Sequence, residues 1–166
     1  MDTALYLEIF KKSAAQLDKA ILDKKQLDVA AVLYEDSVCL KIYKKSWANK
    51  TPNPLTAESR IFFSAWVHDA TLKEQKLLYN IHALKLRQLK GYRIESRKFA
   101  NIFRESFKKF EAAWQNVSTD FGPLTLMQGW VKTDLEKIEG DVIRLCNSFI
   151  DIEHLIDDTL ANFRHG

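Results

Sequence analysis

Leu7, Phe10, Ala14, Leu17 and Ile21 recur at alternating spacings of three and four, which gathers them on one stripe of a helix over residues 3–23. Asp2 or Thr3 is placed to cap its start. Such a stripe packs on the core, on another helix or on a second copy of the chain. The period then changes. LDVAAVLY is almost continuously apolar and rich in valine, as in a strand buried on both faces. Glu35-Asp36-Ser37 makes a polar turn, and VCLKIYKK puts Val38, Leu40 and Ile42 on one face with Lys41 and Lys45 on the other. This pattern predicts a β-hairpin over residues 27–45. A loop marked by Pro52 and Pro54 follows, and RIFFSAWVHD (60–69) reads as a third strand.

Residues 70–90 admit two readings. Thr71-x-x-Glu74 has the form of a capping box, and the segment up to Gly91 is made of good helix formers. Its leucines, however, spread around a helical cylinder instead of forming a stripe. We therefore prefer a strand KLLYNIH paired back on RIFFSAWV, followed by a short helix ALKLRQLK closed by Gly91. A clearer helix starts at the N-cap Ser96, with Phe99, Ile102, Phe103, Phe107, Phe110 and Trp114 as an aromatic core stripe. Residues 116–130, NVSTDFGPLTLMQGW, are turn-rich and read as a loop that either serves binding or tucks an aromatic under the sheet. A last helix spans about 134–163, with Gly140 as its weak point. Together these elements predict one compact α+β domain over residues 1–166: an N-terminal helix, an antiparallel sheet of 3–4 strands, and two C-terminal helices packed on that sheet.

Composition changes this picture little. The chain is 46% hydrophobic and 28% charged, with 5 Gly and 3 Pro, enough apolar material for a core and little for linkers. It has no apolar run of membrane-spanning length and no secretory signal pattern, so a cytoplasmic location is expected and no membrane partner. Cys39 and Cys146 are isolated, without CxxC or Cys/His metal spacing, and no cofactor is indicated.

Charge layout says more than the net of +3. Residues 85–109 hold nine basic against two acidic residues, whereas residues 134–166 hold eight acidic against three basic. A basic face of this density implies an acidic partner, nucleic acid or protein, or pairing with the acidic C-terminal helix. Lys85, Arg87, Lys90, Arg93, Arg97, Arg104 and Lys108 are the candidate partner contacts. Asp151, His154 and Asp158 share a helical stripe and are weak candidate metal ligands. Asp69, Glu74 and Lys76 faintly match the acid-then-ExK pattern of metal-dependent nucleases. No nucleophile elbow, phosphate loop or dinucleotide fingerprint is present. The expectation is therefore a non-catalytic binding or interaction module with a basic face. The alternatives are a self-associating structural protein, which would make the chain a homo-oligomer, and a metal-dependent hydrolase.

Overall fold

Five antiparallel strands form the centre of the molecule, in a computed structural model that describes residues 1–165. The element order is α1 (Thr3–Ala15), α2 (Lys19–Lys24), β1 (Asp28–Tyr34), β2 (Ser37–Tyr43), β3 (Arg60–Val67), α3 (Asp69–Lys73), β4 (Lys76–Leu84), α4 (Ser96–Phe107), β5 (Thr125–Lys132), α5 (Ile138–Ile152) and α6 (His154–Ala161). The strands lie side by side in chain order, β1-β2-β3-β4-β5. The α+β class and the antiparallel sheet are as the periodicities predict, with one more strand than the expected upper count of four.

Register sorts the side chains onto two faces. Ile42, Phe63 and Ile81 stand in one cross-strand row, and Leu40, Ala65 and Tyr79 in the next. All six are buried on the face that the helices cover. There Phe63 stacks on Phe149 of α5 with ring centroids 4.7 Å apart, and Trp47 meets the same ring edge-on at 6.2 Å. Most of the predicted aromatic stripe is core: Phe99, Phe103 and Phe107 of α4 are fully buried, and Trp114, past the helix end at Phe107, packs on Tyr79 at 5.1 Å. Ile102 is instead exposed and Phe110 half-buried. The α1 stripe is also used inside the chain, against α5, β1 and β2.

Five expectations need correction, the last of them the short helix before Gly91. First, β5 begins inside the segment 116–130 read as a loop and runs on to Lys132. A register shift at Ile81/His82 puts Leu126 and Met127 both into the core, which destroys the alternation a strand normally displays. Gly129 removes a further side chain, because a Cβ there would meet the Tyr79 phenol and, at 2.9 Å, the Asn116 carbonyl. Second, the first helix divides in two, since the Asp18 carboxylate caps a new helix by accepting from Ala20 N and Ile21 N. Third, the last helix is interrupted at Glu153 and not at Gly140, so it is α5 plus α6. Fourth, the capping box belongs to His68 and Thr71 at the short α3, and Thr71-x-x-Glu74 is not one. The preferred strand over residues 76–82 is present and runs on to Leu84. The short helix after it is only a single 3₁₀ turn, Leu86–Gln88, with Gly91 at φ +92°. No helix among the described residues is long and apolar enough to cross a membrane.

Candidate anion-binding cavity on the open sheet face

The second face of the sheet carries no helix, yet its centre is buried. Lys41, Ser64, Asn80 and Gln128 form one cross-strand row over β2–β5. Cys39, Trp66, Leu78 and Trp130 form the row on one side, and Phe62 and His82 the row on the other. Of these, Lys41, Ser64, Asn80, Cys39, Trp66, Phe62 and His82 line a cavity of about 430 Å³, completed by Tyr34 at the end of β1, the turn residues Glu35 and Asp36, Arg60 at the start of β3 and Leu84 at the end of β4. None of the longer helices contributes a lining residue.

Two cations converge on one aromatic ring in this cavity. Lys41 Nζ lies 4.8 Å from the centroid of Phe62 and 5.1 Å from that of Tyr34, while the Arg60 guanidinium lies 5.3 Å from Phe62. Lys41 is only 8% exposed. Among the described residues, no carboxylate is within ion-pair distance of either cation. Burial pushes the Lys41 ammonium below the ordinary lysine pKa, and the Arg60 charge adds to that. Arg60 Nη1 donates to the Ala57 carbonyl, but its Nε is buried without a partner.

The polar groups beside the cations are ordered by a short chain of hydrogen bonds. Asn80 Nδ2 donates to Gln128 Oε1 at 3.2 Å and to His82 Nε2 at 2.9 Å, and His82 Nδ1 faces the Leu124 carbonyl at 3.3 Å. A carbonyl requires a proton on Nδ1, which leaves Nε2 as the acceptor and makes His82 a neutral imidazole. Burial holds its pKa below the ordinary value, with Lys41 and Arg60 acting in the same direction. The outcome is an amide that is 1% exposed, with its Oδ1 buried and unpartnered. Cys39, nearby, is a buried thiol whose pKa is raised by burial, the reverse of an activated nucleophile.

The residues singled out from the sequence lie elsewhere. Arg87, Lys90, Arg93 and Arg97 are exposed and make no ion pair among the described residues. Lys85 reaches Glu58 at 3.5 Å and Lys108 reaches Glu105 at 2.9 Å, both on the surface. Arg104 is no free cation: its Nε and Nη2 donate to the carbonyls of Leu126, Phe121, Gly122 and Thr125 at 2.9–3.1 Å. Among the described residues the carboxylates of the acidic C-terminal helices make no ion pair with this segment; Glu153 and Asp157 pair with Lys44, Glu153 also with Lys25, and Asp141 with Arg144. Asp151, His154 and Asp158 are exposed on either side of the α5–α6 interruption, and no group of three or more His, Cys, Asp or Glu among the described residues is arranged to hold a metal. Glu74 and Lys76 pair with each other at 3.4 Å.

Sequence reasoning put Lys41 on the correct face of β2 but missed the cavity. The signal was a polar residue flanked by apolar ones at alternate positions of three successive strands: Lys41, Ser64, and Asn80 with His82. Only the register joins them. Comparison with known proteins finds no match: no protein-family model, curated protein or solved structure is similar to this chain.

Proposed function

We propose that the chain is a non-catalytic binding module that takes a small organic anion, a carboxylate or phosphate with an apolar body, into the cavity on the open sheet face. What supports this reading is Lys41, 8% exposed, beside the half-buried Arg60, with no carboxylate within ion-pair distance of either among the described residues, although Glu35 and Asp36 line the same cavity. Burying an unpaired cation is costly, and the cost is normally offset by a carboxylate of the same chain or by an anion from outside. Groups perturbed in this way collect at functional sites. Lys41 and Arg60 would hold the ligand's charge. Tyr34, Phe62 and Trp66 would cover its apolar part, and Asn80 Oδ1 would accept from a donor on it. A volume of about 430 Å³ suits a small molecule.

The test is a titration of ¹⁵N-labelled protein with inorganic phosphate, citrate and benzoate, followed by amide shifts. At least one anion is expected to bind saturably and shift Lys41, Ser64, Asn80 and His82. Lys41→Met and Arg60→Gln should each weaken it by about tenfold or more. Binding by none of the three, or binding that survives both substitutions, would overturn the reading.

A second reading keeps the acidic macromolecule. Arg87, Lys90, Arg93 and Arg97 are exposed without carboxylate partners, and such a group attracts a polyanion such as nucleic acid. Anisotropy of labelled single- and double-stranded oligonucleotides across a salt series tests it. A steep negative salt slope that flattens in Arg97→Glu supports it, and no binding at low salt removes it.

A further inference from the structure

We infer that β1 is a self-association edge, and that two copies of the chain join through antiparallel β1–β1 pairing into one continuous sheet. The two outer strands of the sheet are treated differently. On β5, Gln128 exchanges both backbone bonds with Ser118, at 2.8 and 3.0 Å, and the Trp130 carbonyl accepts from Asn116 Nδ2. That edge is occupied. Stepping the register from Gln128 back across the sheet puts the outward-facing peptide groups of β1 at Val29, Ala31 and Leu33. Among the described residues nothing bonds to them.

Edges that must stay single are usually protected by lysine, proline or a bulge. The seven residues of β1, DVAAVLY, contain no lysine and no proline, and their pairing to β2 is unbroken. Leu33 on this edge is 51% exposed.

The occupant that fits is a second copy. The outward-facing set is symmetric about Ala31, so a two-fold axis there puts Ala31 opposite Ala31 and Val29 opposite Leu33 of the other copy. Every outward amide and carbonyl of the three residues then finds a partner. On the helix-bearing side, each exposed Leu33 comes to rest on a valine, and the small Ala31 pair sits at the axis. On the open side Ala30 meets Val32, and Asp28, the only charged residue of the strand, meets Tyr34 and not another charge. The pairing obeys the isologous rule of two-fold interfaces.

The experiment is sedimentation equilibrium of the full chain, with Ala31→Pro and Leu33→Lys as variants. Proline is tolerated on an edge strand whose N–H makes no internal bond, and Leu33 is exposed enough to accept a lysine without loss of the fold. The wild-type chain is expected at twice 19.3 kDa, and each variant at 19.3 kDa with an unchanged far-ultraviolet circular dichroism spectrum. A wild-type chain that stays monomeric up to about 1 mM, or a dimer that survives both substitutions, would overturn the inference. Neither outcome depends on whether the cavity takes an anion.

Discussion

Lys41 and Lys44 sit three residues apart at the end of β2, and each is 8% exposed. Lys44 Nζ lies 2.8 Å from Glu153 Oε2 and 2.6 Å from Asp157 Oδ2, and Asp157 also accepts from Trp47 Nε1 at 2.8 Å. Burial works against the Lys44 charge, but the two carboxylates outweigh it and hold its pKa above the ordinary value. Lys41 has the burial without the carboxylates, and its pKa moves the other way. One lysine is a finished structural joint tying α6 to the end of β2. The other has no carboxylate within ion-pair distance among the described residues, and under the proposed function its partner is a bound anion. Equal burial of equal residues therefore marks opposite roles, and the partner decides which.

This contrast is open to direct attack. The largest effect is expected from Lys44→Met, which strands Glu153 and Asp157 beside an apolar side chain. Chemical denaturation should show a loss of about 3–5 kcal/mol. The same change at Lys41 should have the opposite sign. Lys41→Met removes an unpaired buried cation, and the free protein should gain about 1 kcal/mol or more while losing anion binding. A destabilised Lys41→Met chain would mean that Lys41 has a partner within the fold, and the comparison would collapse.

Alkaline pH sharpens the distinction. The unfolded value for both lysines is about 10.5. Lys44, raised on folding, contributes stability that is complete below that value and is lost as pH climbs towards its folded pKa. Lys41, lowered on folding, imposes a penalty at lower pH that is relieved as pH rises through its folded pKa towards 10.5. Plots of wild-type minus variant stability against pH should therefore slope downwards for Lys44→Met and upwards for Lys41→Met. Parallel slopes would break the argument. The smallest effect belongs to the exposed basic segment: Arg97→Glu should change stability by no more than about 0.5 kcal/mol in the same assay.

The pattern made β2, β3 and most of the α4 core stripe legible, because those segments keep one period. β1 was visible as a strand but its apolar run suggested burial on both faces, whereas it is a half-exposed edge strand, and β4 had to be chosen over a helix. β5 was hidden by its bulge and by a glycine that makes room for Tyr79, two devices that remove the alternation by which a strand is read. Lys41 was visible as a charge on an apolar strand, but what separates it from Lys44, just past the strand's end, lies more than a hundred residues away, in Glu153 and Asp157. Local sequence has no access to that. The dense run of cations over residues 85–109 is legible only as charge: Arg87, Lys90, Arg93 and Arg97 are exposed while Arg104 is tied to backbone carbonyls, and nothing local separates the two cases.

Arg104 also bears on the order in which the molecule assembles. β1 to β4 each pair with the strand just before or after them, whereas β5 reaches β4 only after the long excursion from Lys85 to Leu124. Closing that loop carries the largest entropic charge of any pairing in the sheet. Arg104, borne on α4 within the excursion, gathers the carbonyls of Phe121, Gly122, Thr125 and Leu126 and so divides one wide loop into two narrower ones. It is a clasp on the last strand to dock. Hydrogen exchange should therefore find the amide protons of Met127, Gly129 and Val131 the first of the sheet interior to exchange with solvent, and faster still in Arg104→Ala, with β5 the first strand to release.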